Sequence, residues 1–471
     1  MKLSQIKRWA FFFMLALILW YLVAQVVSKN NIGTNLKTLP DSTVAIVQSS
    51  KQQAAEMDEK DIETMVNKAV DLAGGFDGLI KDGQVVVIKP NLVTMKDYTL
   101  PYWQGAELAP ELNGTTTDWR VTKAIVKLVR KYNPHGKVYV MEGSANPTKI
   151  VMAHLKYSPK YIPGVDKFIA IEEDSGEWRD FSSPGITKVS LPNGLLHKEY
   201  YLNKKYKKAD VLISVPLLKN HWQAVVTGAI KNVGIGATPA NIYGISAGNI
   251  GRNNMVNHDS LDLHKWIHDF YLCRPVDFVI MDGLQGVQNG PTPCYEVSRT
   301  SDIKQDQMNM RLIIAGKDAI AVDTIESLLM SWDPLSVGYL SYLNKSGAGN
   351  LDTAAIEVVG KPVDQVRKDF KGVIPPSGGR KVTDKIGPKM KIKDVKIDHG
   401  KIFLQLSVEK ETNKVEVYID DVLYKPVITS GFEKIVLNAA AVKSSKHSIK
   451  VRAYDRFLNC TTETGIIGES N

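Results

Sequence analysis

The stretch QVVVIKP at residues 84–90 is a run of β-branched residues that ends at a proline. Similar short apolar runs recur as TVAIVQ (43–48), KVYVM (137–141), DVLISVP (210–216), VDFVIMD (276–282) and MRLIIAG (310–316). Continuous apolar runs are typical of strands buried on both faces of a sheet, whereas half-exposed strands alternate. These segments therefore predict the core strands of one large sheet.

Amphipathic helices are predicted between these strands. Residues 59–73 have helical periodicity and end at a Gly-Gly pair, and Thr117 or Asp118 is the predicted N-cap of a helix through residue 132. Further helices are predicted over residues 319–330 and near residues 335–344. Strands that alternate with helices predict an α/β domain over residues 41–374, with a mixed, mostly parallel sheet covered by helices on both faces.

The C-terminal part has a different composition. Residues 375–389 begin with Pro-Pro-Ser-Gly-Gly and are predicted to be a linker. Short alternating strands with turns between them follow over residues 390–471, which predicts an all-β sandwich. The segment VEVYIDDVLY and the later HSIKVRAYDRFLN resemble bacterial immunoglobulin-like modules of cell surfaces. The expected role of such a module is that of a spacer or stabilising appendage.

The N-terminus predicts a membrane anchor. Residues 9–27 are uncharged and apolar over about 19 positions, long enough to cross a bilayer as one transmembrane helix. Lys2, Lys7 and Arg8 precede the apolar run, and the positive-inside bias therefore places residues 1–8 in the cytoplasm and the chain after the 28–40 linker outside it. The alternative is a cleaved signal peptide, against which the length of the apolar run and the lack of a clean A-x-A site argue.

Charge and cysteine content exclude some classes of function. The net charge is +9, and the basic residues are spread along the chain, which favours a solvated surface; no nucleic-acid partner is expected. Cys273, Cys294 and Cys460 form no CxxC pair, so no iron–sulfur cluster is expected, and their disulfide pairing is left open.

Polar residues follow several predicted strands. Lys89 and Asn91 flank a proline after the first, Lys219 and His221 follow the strand at 210–216, and Asp282 ends the strand at 276–282. In open α/β sheets, ligands bind beyond the carboxyl ends of the strands. The sequence therefore predicts a pocket at this edge, with lysines and amides for an anion and with His221 and Asp282 for catalysis.

A glycine-rich segment, VTGAIKNVGIGATP at residues 226–239, contains Lys231, Asn232 and Gly234. Glycine lets backbone N–H groups approach an anion closely, and lysine adds positive charge, so these three residues are predicted to bind substrate. The spacing matches no nucleotide-binding motif, and a tight turn that needs glycine is the alternative.

Histidines and aspartates offer a further hypothesis, a divalent metal site. His221 and His258 are predicted in loops beside glycine-rich turns and are candidate ligands or acid–base groups. His264 and His268 are spaced i, i+4 on a predicted helix, a pattern that is more often structural. Asp323 lies one turn into the helix at 319–330. Its carboxylate either interacts favourably with the helix dipole or points into the pocket.

Taken in order, these segments resemble one family. KPNLV, TDWRVTKA, ADVLISVPLLKNH, TGAIKNVGIG, the isolated His258, DGLQGVQNGPTP and AGKDAIAVD together are similar to domain of unknown function 362, over roughly residues 80–350. Carried over to this chain by the resemblance, the recurrent polar residues of the family are Lys89, Asn91, Lys219, His221, Lys231, Asn232, His258, Asp282 and Asp323. Many relatives have cysteine clusters for redox work; this chain lacks them.

Two hypotheses about function follow. The first is an enzyme of the cell envelope that acts on an anionic substrate, with or without a divalent metal at His221, His258, Asp282 and Asp323. The second is a non-catalytic envelope protein that binds a small anion or an envelope polymer and uses its sandwich as a spacer. The number of polar residues at strand ends favours the enzyme, because buried charges are costly without a ligand or partner.

Overall fold

The computed structural model describes residues 42–96, 107–244, 262–291, 303–372, 378–399, 401–428, 430–438 and 446–467. Its longer helices are α1 (Glu59–Leu72), α2 (Trp119–Tyr132), α3 (Thr148–His154), α4 (Gly228–Gly236), α5 (Asp262–Cys273), α6 (Ala319–Leu329) and α7 (Gly338–Lys345). Short helical turns lie at Ile171–Asp174, Lys204–Lys207, Ala240–Tyr243, Ile303–Asp306 and Val363–Val366, with 3-10 turns at Ala54–Glu56 and Pro334–Ser336.

The strands of the first two thirds are β1 (Thr43–Gln48), β2 (Val85–Pro90), β3 (Lys137–Glu142), β4 (Lys167–Ala170), β5 (Ile186–Ser190), β6 (Glu199–Asn203), β7 (Val211–Val215), β8 (Leu217–His221), β9 (Val225–Val226), β10 (Phe278–Val287), β11 (Leu312–Gly316) and β12 (Glu357–Gly360). The C-terminal strands are β13 (Met390–Asp398), β14 (Lys401–Val408), β15 (Lys414–Ile419), β16 (Val422–Ile428), β17 (Lys434–Asn438), β18 (His447–Tyr454) and β19 (Cys460–Ile467).

The central sheet is mixed and mostly parallel, as predicted. Its strand order is β12-β1-β11-β10-β7-β2-β3-β4, and β11 runs antiparallel to both of its neighbours. The other neighbouring pairs along this order are parallel, so β2, β3 and β7 end at the same edge. Helices α1 and α2 pack on one face, and α4, α5 and α6 pack on the other, where each face has its own apolar core.

Local sequence accounts for much of this agreement. The apolar runs at 43–48 and 84–90 form strands with fully buried centres, as expected for a sheet covered on both sides. Helix α2 begins at Trp119 because the Asp118 side chain accepts a hydrogen bond from the N–H of Arg120. Of the two predicted N-caps, Asp118 is therefore the one used.

Two predicted loops are regular structure instead. The sequence predicts His221 in a loop and Lys219 just after the strand at 210–216, but both lie on strand β8, which pairs in parallel with β10. The glycine-rich segment was expected to be a loop or turn, but residues 228–236 form helix α4. The side chain of Thr227, the N-cap residue, makes no capping hydrogen bond to this helix. Side chains from helix α6 accept hydrogen bonds from its first N–H groups instead. The capping is tertiary, so the local sequence does not reveal it.

The C-terminal strands form a three-stranded sheet, β13-β14-β17, and a four-stranded sheet, β16-β15-β18-β19, both antiparallel. Residues from both sheets share one apolar core. This part is firmly attached to the α/β part: Lys414 Nζ donates to Ile356 O at 2.9 Å and Arg367 Nη1 to Asn459 Oδ1 at 2.6 Å. Leu458 even belongs to a core cluster of the α/β part. Such contacts agree with a stabilising appendage.

Several predictions fall on residues that the structure does not describe. The anchor at residues 9–27, His258 and Cys294 all lie outside the described residues. Among the helices of the described ranges, none is long and apolar enough to cross a bilayer. Cys273 and Cys460 are both free thiols.

Candidate functional site

A buried ion pair joins the ends of two parallel strands. Lys89 near the end of β2 places its Nζ 2.7 Å from Oε1 of Glu142, the last residue of β3. Lys89 is 0% exposed, and Glu142 also accepts a hydrogen bond from the N–H of Leu92 at 2.7 Å. Sequence reasoning missed Glu142, although it shows the same signal as Lys89, a charged residue at the end of an apolar strand.

Asn232 on helix α4 connects this pair to the rest of the edge. Its Oδ1 accepts hydrogen bonds from Lys89 Nζ and Asn91 Nδ2, each at 3.2 Å. Its Nδ2 donates to Lys89 O and to Ser214 Oγ, each at 3.1 Å. The predicted residues Lys89, Asn91 and Asn232 therefore form one hydrogen-bonded network across the ends of β2 and β7.

Lys219 is the second lysine of the network. It is 1% exposed, and its Nζ donates to Asn91 Oδ1 at 3.2 Å and to Thr115 O at 2.6 Å. Burial, and next the charge of Lys231, lowers the pKa of Lys219 to about 7. The described ion pairs include none that involves Lys219. A buried ammonium held by neutral oxygens alone is therefore the central feature of this edge.

Among the described residues, three that interact with Lys219 have a buried polar atom without a hydrogen-bond partner. Within the described ranges, the hydroxyls of Thr115 and Thr227 and Oε2 of Glu326 are buried without a hydrogen-bond partner. Each belongs to a residue that interacts with Lys219: Thr115 through its carbonyl, Thr227 through its N–H, which donates to Lys219 O, and Glu326 through a hydrogen bond from the backbone of Lys219. Buried polar groups usually have partners, so this clustering suits a polar ligand.

Helix α4 presents Lys231 next to Asn232, and Lys231 is buried. The glycines of this helix have packing roles. A Cβ on Gly236 would lie 2.6 Å from Lys89 Nζ, so a larger residue here would have to displace the end of this buried, ion-paired side chain. A Cβ on Gly234 would lie 3.1 Å from Ile267, and Gly234 O accepts a bond from Trp266 Nε1. The structure thus gives Gly234 a packing contact with α5.

Two carboxyls of helix α6 cap helix α4. Asp323 accepts from the N–H groups of Ala229 at 2.6 Å and Ile230 at 3.0 Å, and Glu326 accepts from Gly228 N at 3.2 Å. Burial raises the pKa of Asp323 to about 8, and burial together with the charge of Asp323 raises that of Glu326 well above its usual range. Asp323 therefore positions Lys231 and Asn232 through the helix that bears them.

His221 lies on the same side of β8 as Lys219, because residues i and i+2 share a face of a strand. Its Nδ1 accepts bonds from Gln223 N at 3.1 Å and Ala224 N at 3.2 Å. An Nδ1 that accepts is unprotonated, so the proton of neutral His221 is on Nε2. The other predicted histidine, His258, lies outside the described residues.

Asp282 stabilises a loop near the cluster. Its Oδ2 accepts from Asp118 N at 2.9 Å and its Oδ1 from Leu284 N at 3.0 Å. Burial and the nearby charge of Asp118 raise the pKa of Asp282 to about 7. These bonds fix the start of helix α2, just after Thr115, whose carbonyl holds Lys219. The observed contacts of Asp282 are therefore those of a positioning residue.

The predicted metal ligands are dispersed. Asp282 contacts the start of α2 on one face of the sheet, and Asp323 contacts α4 on the other. Over the residues that the structure describes, no three His, Cys, Asp or Glu side chains form a group that could hold a metal. The structure does not bring the two aspartates together, and a site that includes His258 stays a prediction.

His264 and His268 have structural partners, as expected for a helical pair. His264 Nδ1 accepts from Tyr339 N at 3.2 Å, and burial lowers the pKa of His264 to about 4. His268 is held by Asp269 at 2.7 Å and Ser346 at 3.1 Å.

The chain matches one family model. The family described as Domain of unknown function (DUF362) matches residues 86–327, which include the strands β2, β3, β7 and β8 and helices α4 and α6. No curated protein matches the chain.

Three solved structures show weak similarity. The lactate racemase apoprotein from Thermoanaerobacterium thermosaccharolyticum is 14% identical, with a TM-score of 0.34, over 62% of this chain and 58% of that chain. The central fibronectin-III array of RIM-binding protein is 18% identical, with a TM-score of 0.15, over 18% of this chain and 33% of that chain. The spore cortex lytic enzyme SleM of Clostridium perfringens is 9% identical, with a TM-score of 0.19, over 88% of this chain and 76% of that chain. TM-scores this low transfer no function to this chain.

Proposed function

The chain belongs to the DUF362 family, and we propose that it is an enzyme that binds an anionic substrate at the carboxyl edge of β2, β7 and β8. The observation that supports this most is Lys219, a fully buried ammonium whose bonding partners are the neutral oxygens of Asn91 and Thr115. An unneutralised buried cation costs free energy, which an anionic ligand would offset.

The charge balance of the cluster favours an anion. Lys89, Lys219 and Lys231 lie together, and Glu142 is paired with Lys89. Burial raises the pKa of both Asp323 and Glu326, which favours their neutral forms and reduces the negative charge that they add to the cluster. Lys219 and Lys231 therefore supply the attraction for a small carboxylate or phosphate.

Lys219 is also suited to proton transfer. A pKa of about 7 means that the amine and the ammonium coexist at neutral pH, which general acid–base catalysis requires. In the proposed mechanism, Lys219 exchanges a proton with the bound substrate, while His221 donates a hydrogen bond from Nε2. Asn91 and Asn232 orient the lysines, and Asp323 and Asp282 hold the elements that bear the site.

Substrate depletion tests the proposal. The full-length protein and its Lys219→Met variant are incubated with a metabolite extract, and anions that disappear only with the wild type are sought by mass spectrometry. Lys123→Met, an exposed lysine of α2, is the control. The enzyme proposal is supported if the wild type and the control both consume an anion catalytically and a folded Lys219→Met variant does not.

The second candidate is a non-catalytic protein that binds the same anion. It is favoured by the extensive hydrogen bonding within the cluster, where Asn91 and Asn232 already hold the lysines in place. In that case the depletion experiment shows saturable retention of a ligand by the wild type, without turnover and with or without added divalent metal. Turnover of any anion would exclude this candidate.

The proposed location is the outer side of a cell membrane. Residues 9–27 are proposed to be a single-pass anchor, with the α/β domain and an immunoglobulin-like C-terminal module outside the cytoplasm. Support comes from the apolar run and the basic residues before it. Protease added to spheroplasts should degrade the α/β domain while a cytoplasmic marker protein survives, and protection of the domain would contradict the proposal.

A further inference from the structure

A cavity of about 280 Å³ lies between the edge of the central sheet and the C-terminal four-stranded sheet. The backbone of β12 forms one wall, and the side chains of Lys414, Glu416, Tyr418, Arg452 and Tyr454 line the other. Concave sites with apolar walls and a few polar groups are typical ligand sites. This cavity is separate from the lysine cluster, and the inference below does not depend on the proposed function.

The outer edge of β12 faces this cavity. Strand β12 is last in the order of the central sheet, and within the described residues it pairs only with β1. Lys361 N donates a hydrogen bond to Ile46 O on β1. Ile356 O accepts a hydrogen bond from Lys414 Nζ on the opposite side of the strand, away from β1. Backbone groups of alternate residues point to opposite sides of a strand, so the N–H and C=O of Val358 point away from β1, toward the cavity. An exposed edge of this kind can pair with an added strand.

Two acids, Glu357 and Glu416, line the cavity beside Lys414, and Glu416 is neutralised within it. Glu416 Oε2 accepts hydrogen bonds from the hydroxyls of Tyr418 and Tyr454, each at 2.8 Å. Its Oε1 lies 3.4 Å from Lys414 Nζ. Lys414 and Glu416 therefore satisfy each other, and neither needs a charged ligand.

Arg452 is different, because it is only half-buried, it shares hydrogen bonds with Tyr418 and Cys460, and its guanidinium lies 5.2 Å from the centre of the Tyr454 ring. In the described part of the chain it forms no ion pair, although it has an electrostatic interaction with Asp364. A guanidinium has a planar fork of donors that matches a carboxylate. Arg452 is thus the cation of this cavity that suits an anionic group.

We propose that this cavity binds an extended peptide that bears a carboxylate. The backbone of the peptide adds to β12 through the N–H and C=O of Val358, and its carboxylate pairs with Arg452. Strand addition to a sheet edge takes affinity from main-chain hydrogen bonds and specificity from side-chain pockets. Tyr418, Tyr454 and Leu458 supply the apolar walls for such pockets.

The test uses three fluorescent peptides with alternating valine and threonine, a pattern that favours extended backbone. One has a free C-terminal carboxylate, one has a C-terminal amide, and one has the amide and a glutamate. Binding to the full-length protein is followed by fluorescence polarisation. We expect one or both carboxylate peptides to bind and the plain amide to bind about tenfold or more weakly. Equal binding of the plain amide, or no binding by any peptide, would overturn the proposal.

Four variants locate the interaction. Arg452→Gln and Val358→Pro should each weaken binding of the carboxylate peptide, whereas Lys401→Gln on β14 of the other sheet should not. Proline at residue 358 removes an outward N–H and should leave pairing with β1 intact. Proline at residue 359, whose N–H faces β1, should instead lower the melting temperature. Unchanged binding by Arg452→Gln, or equal destabilisation by the two prolines, would contradict the assigned geometry.

Discussion

Lys89 Nζ lies 2.7 Å from Glu142 Oε1, and the two side chains are 0% and 2% exposed. The pair exists because β2 and β3 are parallel neighbours that end at the same edge of the sheet. Glu142 also accepts hydrogen bonds from the N–H groups of Leu92 and Gly143, so it fixes the segments that follow both β2 and β3. The structure of the candidate site therefore depends on this pair.

Removal of one partner should be severely destabilising. Glu142→Gln leaves Lys89 as a buried charge with only neutral acceptors, and we expect a loss of about 3–5 kcal/mol in the free energy of unfolding. Urea unfolding measures the loss. Glu59→Gln breaks the exposed pair of Glu59 with Lys123 and should cost less than about 1 kcal/mol. Similar costs for both variants would show that the buried pair is not distinctive.

Anion binding at Lys219 should depend on pH. The pKa of Lys219 is about 7, and a bound anion favours the charged form, so binding should take up a proton above pH 7. With inorganic sulfate as the probe, because its charge is constant in this range, affinity should fall as pH rises from 7 to 9. Calorimetry in buffers of different ionisation enthalpy measures the proton uptake directly. The Lys219→Met variant should lose both the uptake and the pH dependence, and persistence of either would assign the effect to another group.

Lys219 should also affect stability without ligand. Its pKa is lower in the folded protein than in the unfolded chain, so the unfolded chain binds more protons between about pH 7 and the ordinary value of 10.5. The free energy of unfolding therefore gains a contribution that rises with pH across this window. Urea unfolding of the wild type and Lys219→Met as a function of pH should show a difference that changes in this direction. A constant difference would contradict the lowered pKa.

Asp323 should contribute in the opposite direction. Burial raises its pKa from 3.8 to about 8, so the folded protein holds a proton that the unfolded chain has lost across this window. The contribution of Asp323 to stability is therefore present below the lower value and declines as pH rises toward 8. Asp323→Asn should remove this decline. It should also cost about 1–3 kcal/mol, since one of the bonds to Ala229 N or Ile230 N is lost.

Gly236→Ala should be destabilising even though alanine favours helices over glycine by about 1 kcal/mol. The added Cβ would lie 2.6 Å from Lys89 Nζ and 3.1 Å from Glu142 Oε1. We expect lower stability and weaker phosphate binding, measured by urea unfolding and calorimetry. In a Lys89→Met background the charged end is gone, so the same change should cost less. Equal costs in the two backgrounds would show that the clash is with something other than Lys89.

Much of the fold could be predicted from the sequence, because buried strands and amphipathic helices have local patterns. The strand at 43–48 and the Asp118 cap of α2 are examples. Short or half-exposed strands have weaker patterns, and β8 was missed because Pro216 interrupts the run from β7 into it. It pairs with β10, which lies more than fifty residues later in the chain, and with β9, which has only two residues and so gives no local pattern.

The sequence by itself determined that polar side chains follow the buried strands, and therefore that Lys89, Asn91 and Lys219 lie near one edge of a parallel sheet. Only the tertiary structure decided which of them are in contact. Asn232 reaches Lys89 because residues 228–236 form a helix, and that helix begins where Asp323 from a distant helix accepts its N–H groups. The pKa of Lys219 could not be predicted from the sequence either, since it results from burial and from charges brought together by long-range packing. Hydrophobic periodicity is a local property of the chain, whereas hydrogen-bond partners and desolvation are properties of the folded whole.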